Sequence, residues 1–304
     1  MRVMVTGATT PLGAALVETM LATGDVDAIL AVGSGDRPPR EHSEVVYRKL
    51  DVTRPRNLRE AIWGDARDLA IDVVIHGAQH LPATERARKA GTTDVDAARE
   101  LLVACTNHPS IRRLVYRSFA EVYSLGGGRD LLDEKSPLEL TPTSPQWLRD
   151  RVEADLAVCS QIGSKLQIAV VRCAEIIAPD VGSQLWDYLK GRVCLRPYGF
   201  DPMLNVLAIE DAAYALACAA RSKAVGVFNI PGRDTLPLSR AIARSHRADV
   251  PFPGQLLGSQ RFHFGAVLDG SRAARELDFV PTTGVHWPSS WWRELFSRLD
   301  RPTP

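Results

Sequence analysis

Six short apolar runs, separated by segments with helical spacing, set the narrowest limit on how this chain folds. The runs are RVMVTGA (2–8), AILAVGS (28–34), VVYRKLDV (45–52), IDVVIHGA (71–78), RLVYRSF (113–119) and LQIAVVRCAEI (166–176). Between them, apolar residues recur every three or four positions in PLGAALVETMLATG, around 57–63, and at roughly 92–106 and 145–162. Strands that lack polar alternation are covered on both faces, as in parallel sheets. Strands alternating with helices imply right-handed crossovers and a doubly wound α/β fold. After about 180 the pattern loosens and Pro and Gly recur, as in RPYGFDPM, NIPGRD and PFPGQLLG. This part is expected to form a small mixed α/β lobe over one end of the sheet. The expected division is 1–180 for the large domain, with parts of 200–235 returning to it, and 181–304 for the lobe. The run IEDAAYALACAA (209–220) predicts a helix with an acidic first turn, and Gly126–Gly128 opens a loop reaching about 143.

Composition excludes several classes. The net charge is +1, which gives no reason to expect nucleic acid or an anionic membrane as partner. No apolar run reaches the 18 or so residues of a membrane span, and MRVMVTGATT enters a strand directly, so a cytoplasmic protein is expected. The five cysteines, Cys105, Cys159, Cys173, Cys194 and Cys218, are far apart and form no CxxC. They read as reduced thiols, and no metal site is expected.

VTGATTPLG (5–13) joins the first strand to the first helix, the context in which a glycine loop cradles a pyrophosphate. Gly7 serves the tight turn and Gly13 lets helix and strand approach, while the residues between, Thr9, Thr10, Pro11 and Leu12, bring the helix start to the phosphates. A dinucleotide is the expected cofactor. An acidic residue closing the second strand would hold an NAD ribose. Gly33 stands there, followed by Ser34, Arg37 and Arg40, which suit a 2′-phosphate and favour NADP over NAD; Asp36 is the alternative ribose partner.

With these landmarks the chain resembles the extended short-chain dehydrogenase/reductase family, the epimerases and dehydratases acting on sugar nucleotides. Its T-G-x-x-G-x-x-G becomes Thr6-Gly7-Ala8-Thr9-Thr10-Pro11-Leu12-Gly13, with Thr10 for the middle glycine. Thr10 removes close backbone access but offers a hydroxyl to the phosphate. Asp51-Val52 resembles the adenine-contacting element, and VVIHGA, ending in Gly77 and Ala78, the element beside the ribose. EVYS (121–124), IEDAAYAL (209–216), GVFNIPG (226–232) and RAARELDFVP (272–281) follow in the family's order. The resemblance implies a Rossmann-like sheet, a small-molecule ligand in the C-terminal lobe, and a homodimer through the helices at 92–106 and 145–162. Their stripes are Val95, Leu101, Leu102 and Cys105, and Leu148, Val152, Leu156 and Cys159, though packing on the sheet explains such stripes equally well. Trp287, Trp291 and Trp292 crowd the C-terminus, as a docked terminal helix or a partner surface.

The same resemblance exposes a gap. The family's catalytic Tyr and Lys fall on Trp147 and Arg151, and its Ser/Thr on Phe119. No register rescues the motif: four residues after Tyr47, Tyr116, Tyr123, Tyr188, Tyr198 and Tyr214 stand Asp51, Ala120, Gly127, Arg192, Pro202 and Cys218. Ser118, one place early, faces the other side of its strand. The family's Asn reads as Asp94. Tryptophan only donates an N–H, and arginine stays protonated, so neither joins a proton relay. The most direct reading is a cofactor-binding sensor or scaffold without redox turnover. Alternatively, relocated or non-redox chemistry uses Glu121, Tyr123, Glu175, Cys173, His80 or Asp150, or a substitute proton donor sustains an epimerase or reductase.

Overall fold

The computed structural model describes residues 1–51, 54–78, 91–125, 131–253 and 265–288, with side chains from 95 onward in the helix that begins at 91. Val52, His80, the Asp94 side chain, Gly126–Gly128, Trp291 and Trp292 lie outside the described residues. Along the chain run β1 (Arg2–Thr6), α1 (Pro11–Thr23), β2 (Ala28–Gly33), β3 (Val45–Lys49), α2 (Pro55–Trp63), α3 (Asp65–Asp68), β4 (Val73–His76), α4 (Gly91–Asn107) and β5 (Arg113–Phe119). Then follow α5 (Gln146–Cys159), β6 (Gln167–Cys173), β7 (Glu175–Ile176), α6 (Gln184–Leu189), β8 (Val193–Pro197), β9 (Met203–Leu207), α7 (Ile209–Arg221) and β10 (Gly226–Ile230). The last elements are β11 (Asp234–Pro237), α8 (Leu238–Arg244), β12 (Ala248–Phe252) and α9 (Ser271–Glu276).

Seven strands make one parallel sheet in the order β10-β6-β5-β4-β1-β2-β3. The order reverses between β1 and β4, where such sheets open a crevice at their C-terminal edge. Successive strand residues face opposite ways. Val3 and Val5 pack with α1 and α7, while Met4, Leu30 and Val32 pack with α2, α4 and α5. The alanines of α7, among them Ala212, Ala213, Ala215 and Ala219, let it lie close on the sheet. The remaining strands form a three-stranded sheet, β11-β9-β7, and the pair β12-β8, around Leu185, Leu189, Leu204 and Ile242. Asp211 fastens the C-terminal segment to the start of α7 by accepting from Thr282 N, Thr283 N and the Thr283 hydroxyl.

Some expectations need correction. The third strand stops at Lys49 rather than 52, and α3 was not anticipated because DARD carries no apolar stripe. Within the large apolar stripes, Val95, Leu101, Leu102 and Cys105 are buried against the sheet, whereas Leu156 stays exposed. Among the described residues, no helix is long and apolar enough to cross a membrane. All five cysteines are free thiols, four buried and Cys159 half-buried.

At the crevice, Thr6 and His76 join β1 to β4. The Thr6 hydroxyl accepts from Gly77 N and Ala78 N at 3.2 and 3.3 Å. Its own proton is therefore directed to His76 Nδ1, 2.9 Å away, which makes the imidazole an acceptor there and neutral. His76 is buried and stacked on Tyr116, and burial pushes its pKa down to about 4. Between that value and the ordinary one near 6.5, the unfolded chain binds more protons than the folded one, so stability falls with pH below about 6.5. Lowering the pH from 7 to 5 is expected to cost the protein on the order of 2 kcal/mol more than it costs a His76→Gln variant. Urea titrations at both pH values check this; equal losses in the two proteins contradict it.

Candidate functional site

The loop between β1 and α1 has the form its glycines require. Gly7 has φ +71, a left-handed conformation, and a Cβ there would come within 3.0 Å of the Ala78 backbone. At Gly13 a Cβ would lie 2.1 Å from the Gly7 carbonyl. These two close approaches bring α1 onto the crevice. Thr10, however, is the helix N-cap. Its hydroxyl donates to Gly7 O at 2.8 Å and accepts from Gly13 N at 3.1 Å. The expected hydroxyl donation to a phosphate is therefore corrected: the proton is committed to Gly7. A helix start ordinarily offers several N–H groups to an anion. Here Thr10 N bonds Gly7 O, Pro11 has none and Gly13 N is capped. Among the described residues, that leaves the Thr9 and Leu12 N–H groups of the loop to meet a phosphate. The backbone path fits a diphosphate; the supply of donors is reduced.

Beside the loop, Thr9 fills the space where an acidic side chain from position 33 would stand. A Cβ on Gly33 would lie 2.6 Å from the Thr9 hydroxyl oxygen, which also accepts from Gly35 N. Ser34 and Arg37 are exposed nearby, Arg40 pairs with Glu18, and Asp36 pairs with Lys49 at 2.5 Å. Asp36 as ribose partner therefore competes with an existing ion pair. Asp51, half-buried after β3, lies 3.4 Å from Arg54.

The three positions that the sequence reading aligned with the family's Ser/Thr, Tyr and Lys, namely Phe119, Trp147 and Arg151, do come together, as a packed cluster. The Arg151 guanidinium lies 3.7 Å over the Phe119 ring and 5.2 Å from the Trp147 ring. It forms an ion pair with Glu121 and donates to Gly182 O at 3.0 Å. The two paired side chains are only 8% and 2% exposed. The cavity remaining among Arg117, Phe119, Glu121, Cys173, Glu175 and Ser183 is about 10 Å³, room for a single water. This sits at the C-terminal ends of β5 and β6, where substrate chemistry in such sheets takes place.

The other candidates are each engaged. Tyr123 is fully buried, and its hydroxyl donates to Asn229 Oδ1 at 2.7 Å. Burial pushes its pKa up to about 12. Glu175 accepts from the Ser183 hydroxyl at 2.6 Å and from Leu185 N; burial raises its pKa. Cys173 is buried in the same wall, its thiol pushed up to about 11. Asp150 bonds Gln146 on α5, and burial raises its pKa too.

A buried polar group escaped the sequence reading. Asp155, fully buried, accepts from Arg172 at 2.5 and 3.0 Å and from Ser118 at 2.5 Å. This ties α5 to β5 and β6, and confirms that Ser118 faces away from the Phe119 side. The signal was present: Asp155 occupies the inward stripe of its helix, three residues after Val152, and Arg172 interrupts an apolar strand.

Comparison with known proteins follows the same outline. A model of the NAD dependent epimerase/dehydratase family matches residues 3–231. An uncharacterized protein of Mycobacterium tuberculosis (strain ATCC 25618 / H37Rv) is 26% identical over 310 aligned residues, covering 92% of this chain and 80% of that protein. The solved dTDP-glucose 4,6-dehydratase of Bacillus anthracis, in complex with NAD, superposes with a TM-score of 0.71 at 18% identity, over 93% of this chain and 92% of its own. The UDP-glucuronic acid 4-epimerase of Bacillus cereus, also with NAD, gives 0.71 at 16% identity over 93% and 94%. The UDP-glucose 4-epimerase of Thermotoga maritima, with UDP-glucose, gives 0.72 at 15% over 93% and 94%.

Removing one partner of a buried ion pair strands the other. Arg151→Ala is expected to destabilise the protein by about 3–5 kcal/mol, and adding Glu121→Gln to recover part of that loss. Chemical denaturation of both variants checks it. A loss below about 1 kcal/mol for Arg151→Ala, the level of an exposed pair, contradicts the packed cluster.

Proposed function

The chain belongs to the NAD dependent epimerase/dehydratase family, and from that membership we propose that it binds NAD or NADP as a sensor or scaffold without redox turnover. One observation carries this reading: the proton-donor position is filled by the Arg151–Glu121 pair between Phe119 and Trp147. A bound nicotinamide supplies hydride, but hydride transfer needs a matched proton donor or acceptor. Arginine remains protonated, phenylalanine has no labile proton, and a tryptophan N–H does not exchange roles with a base.

The loop would hold the cofactor's diphosphate through the Thr9 and Leu12 N–H groups, with Gly7, Thr10, Pro11 and Gly13 shaping the cradle. Asp51 and Val52 would border the adenine, and Gly77 and Ala78 the ribose. Exposed Ser34 and Arg37, with Asp36 held by Lys49, favour a 2′-phosphate and so NADP. That the matched Bacillus enzymes were solved with NAD supports the dinucleotide itself.

Glu175 favours a second reading, non-redox chemistry of isomerase, lyase or cyclase type in the same crevice. Its carboxyl is pushed toward the neutral form by burial and touches a hydroxyl, Ser183. Such chemistry requires the 10 Å³ cavity to open. A substitute donor for epimerase chemistry has less support, since the Tyr123 hydroxyl is spent on Asn229.

Calorimetric titration with NADPH, NADP⁺, NADH and NAD⁺ tests the proposal. One pair is expected to bind at micromolar concentration, NADP(H) ahead of NAD(H). Thr10→Gly frees the Gly13 N–H for the diphosphate at a cost of only a few tenths of a kcal/mol in capping. It is expected to tighten binding by roughly tenfold, the worth of one charge-assisted hydrogen bond. Absence of binding by all four cofactors to both proteins overturns the proposal.

We further propose a homodimer through α4 and α5, where Val103 and Leu156 are exposed beside a groove of about 500 Å³ lined by Leu102, Thr106 and Ala157. Sedimentation should show a dimer that Val103→Glu dissociates; a wild-type monomer at micromolar concentration contradicts this.

A further inference from the structure

The turn that leaves β2, Gly33-Ser34-Gly35-Asp36, is gripped by two residues from elsewhere in the chain. On one side stands Thr9. Its hydroxyl accepts from Gly35 N at 3.2 Å, and a Cβ on either Gly33 or Gly35 would come to within 3.0 Å of its side chain. On the other side stands Tyr47 of β3. Its hydroxyl donates to Gly35 O at 2.5 Å and lies 3.2 Å from Gly33 O. Burial raises the Tyr47 pKa, so the hydroxyl keeps the proton it donates. Lys49, two residues along the same strand and so on the same face, draws in Asp36 at 2.5 Å.

Two glycines in three residues give this turn more backbone freedom to lose than its neighbours have. Left free, it would lose that freedom only when a ligand bound, at the expense of affinity. Thr9 and Tyr47 remove it beforehand. The held turn carries Ser34 between the two glycines that face Thr9, and Ser34 is exposed, as is Arg37 just beyond. The other cations nearby are engaged, Arg40 with Glu18 and Lys49 with Asp36. A hydroxyl and a guanidinium on a fixed turn suit a phosphate monoester, which takes several charge-assisted hydrogen bonds. The Tyr47 and Thr9 hydroxyls are bonded to the turn itself, so both act as positioning residues.

Resting on the reading that the crevice takes an adenine dinucleotide, we propose that Tyr47 and Thr9 set which ribose the chain accepts. The pair holds the 33–36 turn so that Ser34 and Arg37 meet a phosphate on the ribose 2′ oxygen. Releasing either grip weakens binding of the phosphorylated ribose and spares the plain one.

Calorimetry of the full chain with adenosine 2′,5′-bisphosphate and with 5′-AMP tests this, since the two probes differ only in the 2′-phosphate. The wild type is expected to bind the bisphosphate at least tenfold more tightly. Tyr47→Phe removes one hydroxyl, and Thr9→Val removes another while keeping the Thr9 N–H. Each is expected to narrow the preference about fivefold, the net worth of one hydrogen bond, with 5′-AMP affinity unchanged. A merely structural role would weaken both probes alike, and that result overturns the proposal, as does an unchanged preference in either variant. If Tyr47→Phe does not fold, Thr9→Val decides on the same criterion. Amide hydrogen exchange without ligand reads the grip itself: Gly35 should exchange at least fivefold faster in each variant, and wild-type rates in both overturn the proposal. Equal affinity of the wild type for the two probes overturns this inference and leaves the dinucleotide reading standing. No binding of either probe overturns both.

Discussion

A guanidinium and a carboxylate buried side by side hold each other in place, and the crevice is organised around one such pair. Arg151 lies against the Phe119 and Trp147 rings and pairs with Glu121, and the pair has almost no surface open to water. Neither charge can leave without stranding the other, and burying an isolated charge costs far more than either could regain from a passing substrate. The ends of β5 and β6 are closed for that reason. Gly182 contributes its carbonyl and a backbone bend, φ +79, that brings it against Arg151.

The cofactor side obeys a different constraint. Close backbone approach at Gly7 and Gly13 keeps α1 aimed at the crevice, while Thr10 takes up the Gly13 N–H. A threonine at that point caps the helix from within. The start of α1 is thus self-contained, with the Thr10 hydroxyl bonded to Gly7 O and Gly13 N. Thr9 makes a related exchange, filling the space beside Gly33 that an acidic side chain would occupy. The two threonines act alike: each hydroxyl accepts from a backbone N–H of the same corner, Gly13 N for Thr10 and Gly35 N for Thr9.

The parallel sheet was legible in the apolar runs, because strands covered on both faces leave an unmistakable pattern. The turn glycines were legible because only glycine fits a left-handed turn or a 2.1 Å approach. That Trp147, Arg151 and Phe119 stand at neighbouring points could be read from their places along the chain, and the structure brings the three side chains together. What filled the space could not be read. Nothing in the run around Glu121 announces that it meets a residue thirty positions later, and Tyr123 carries no mark of its bond to Asn229 across the core. The Asp155–Arg172–Ser118 group was similarly hidden, since its members come from three elements.

The central claim is that a family member retains its cofactor cradle while its proton-transfer position is packed shut. A single-turnover experiment tests it most directly. The protein, saturated with NAD⁺ or NADP⁺, is mixed with UDP-glucose or dTDP-glucose while the fluorescence of the reduced nicotinamide is followed. No reduced cofactor should form, even at protein concentrations equal to the cofactor. Reduced nicotinamide appearing in proportion to the protein would show that a proton path exists despite Arg151, and would contradict the closed site.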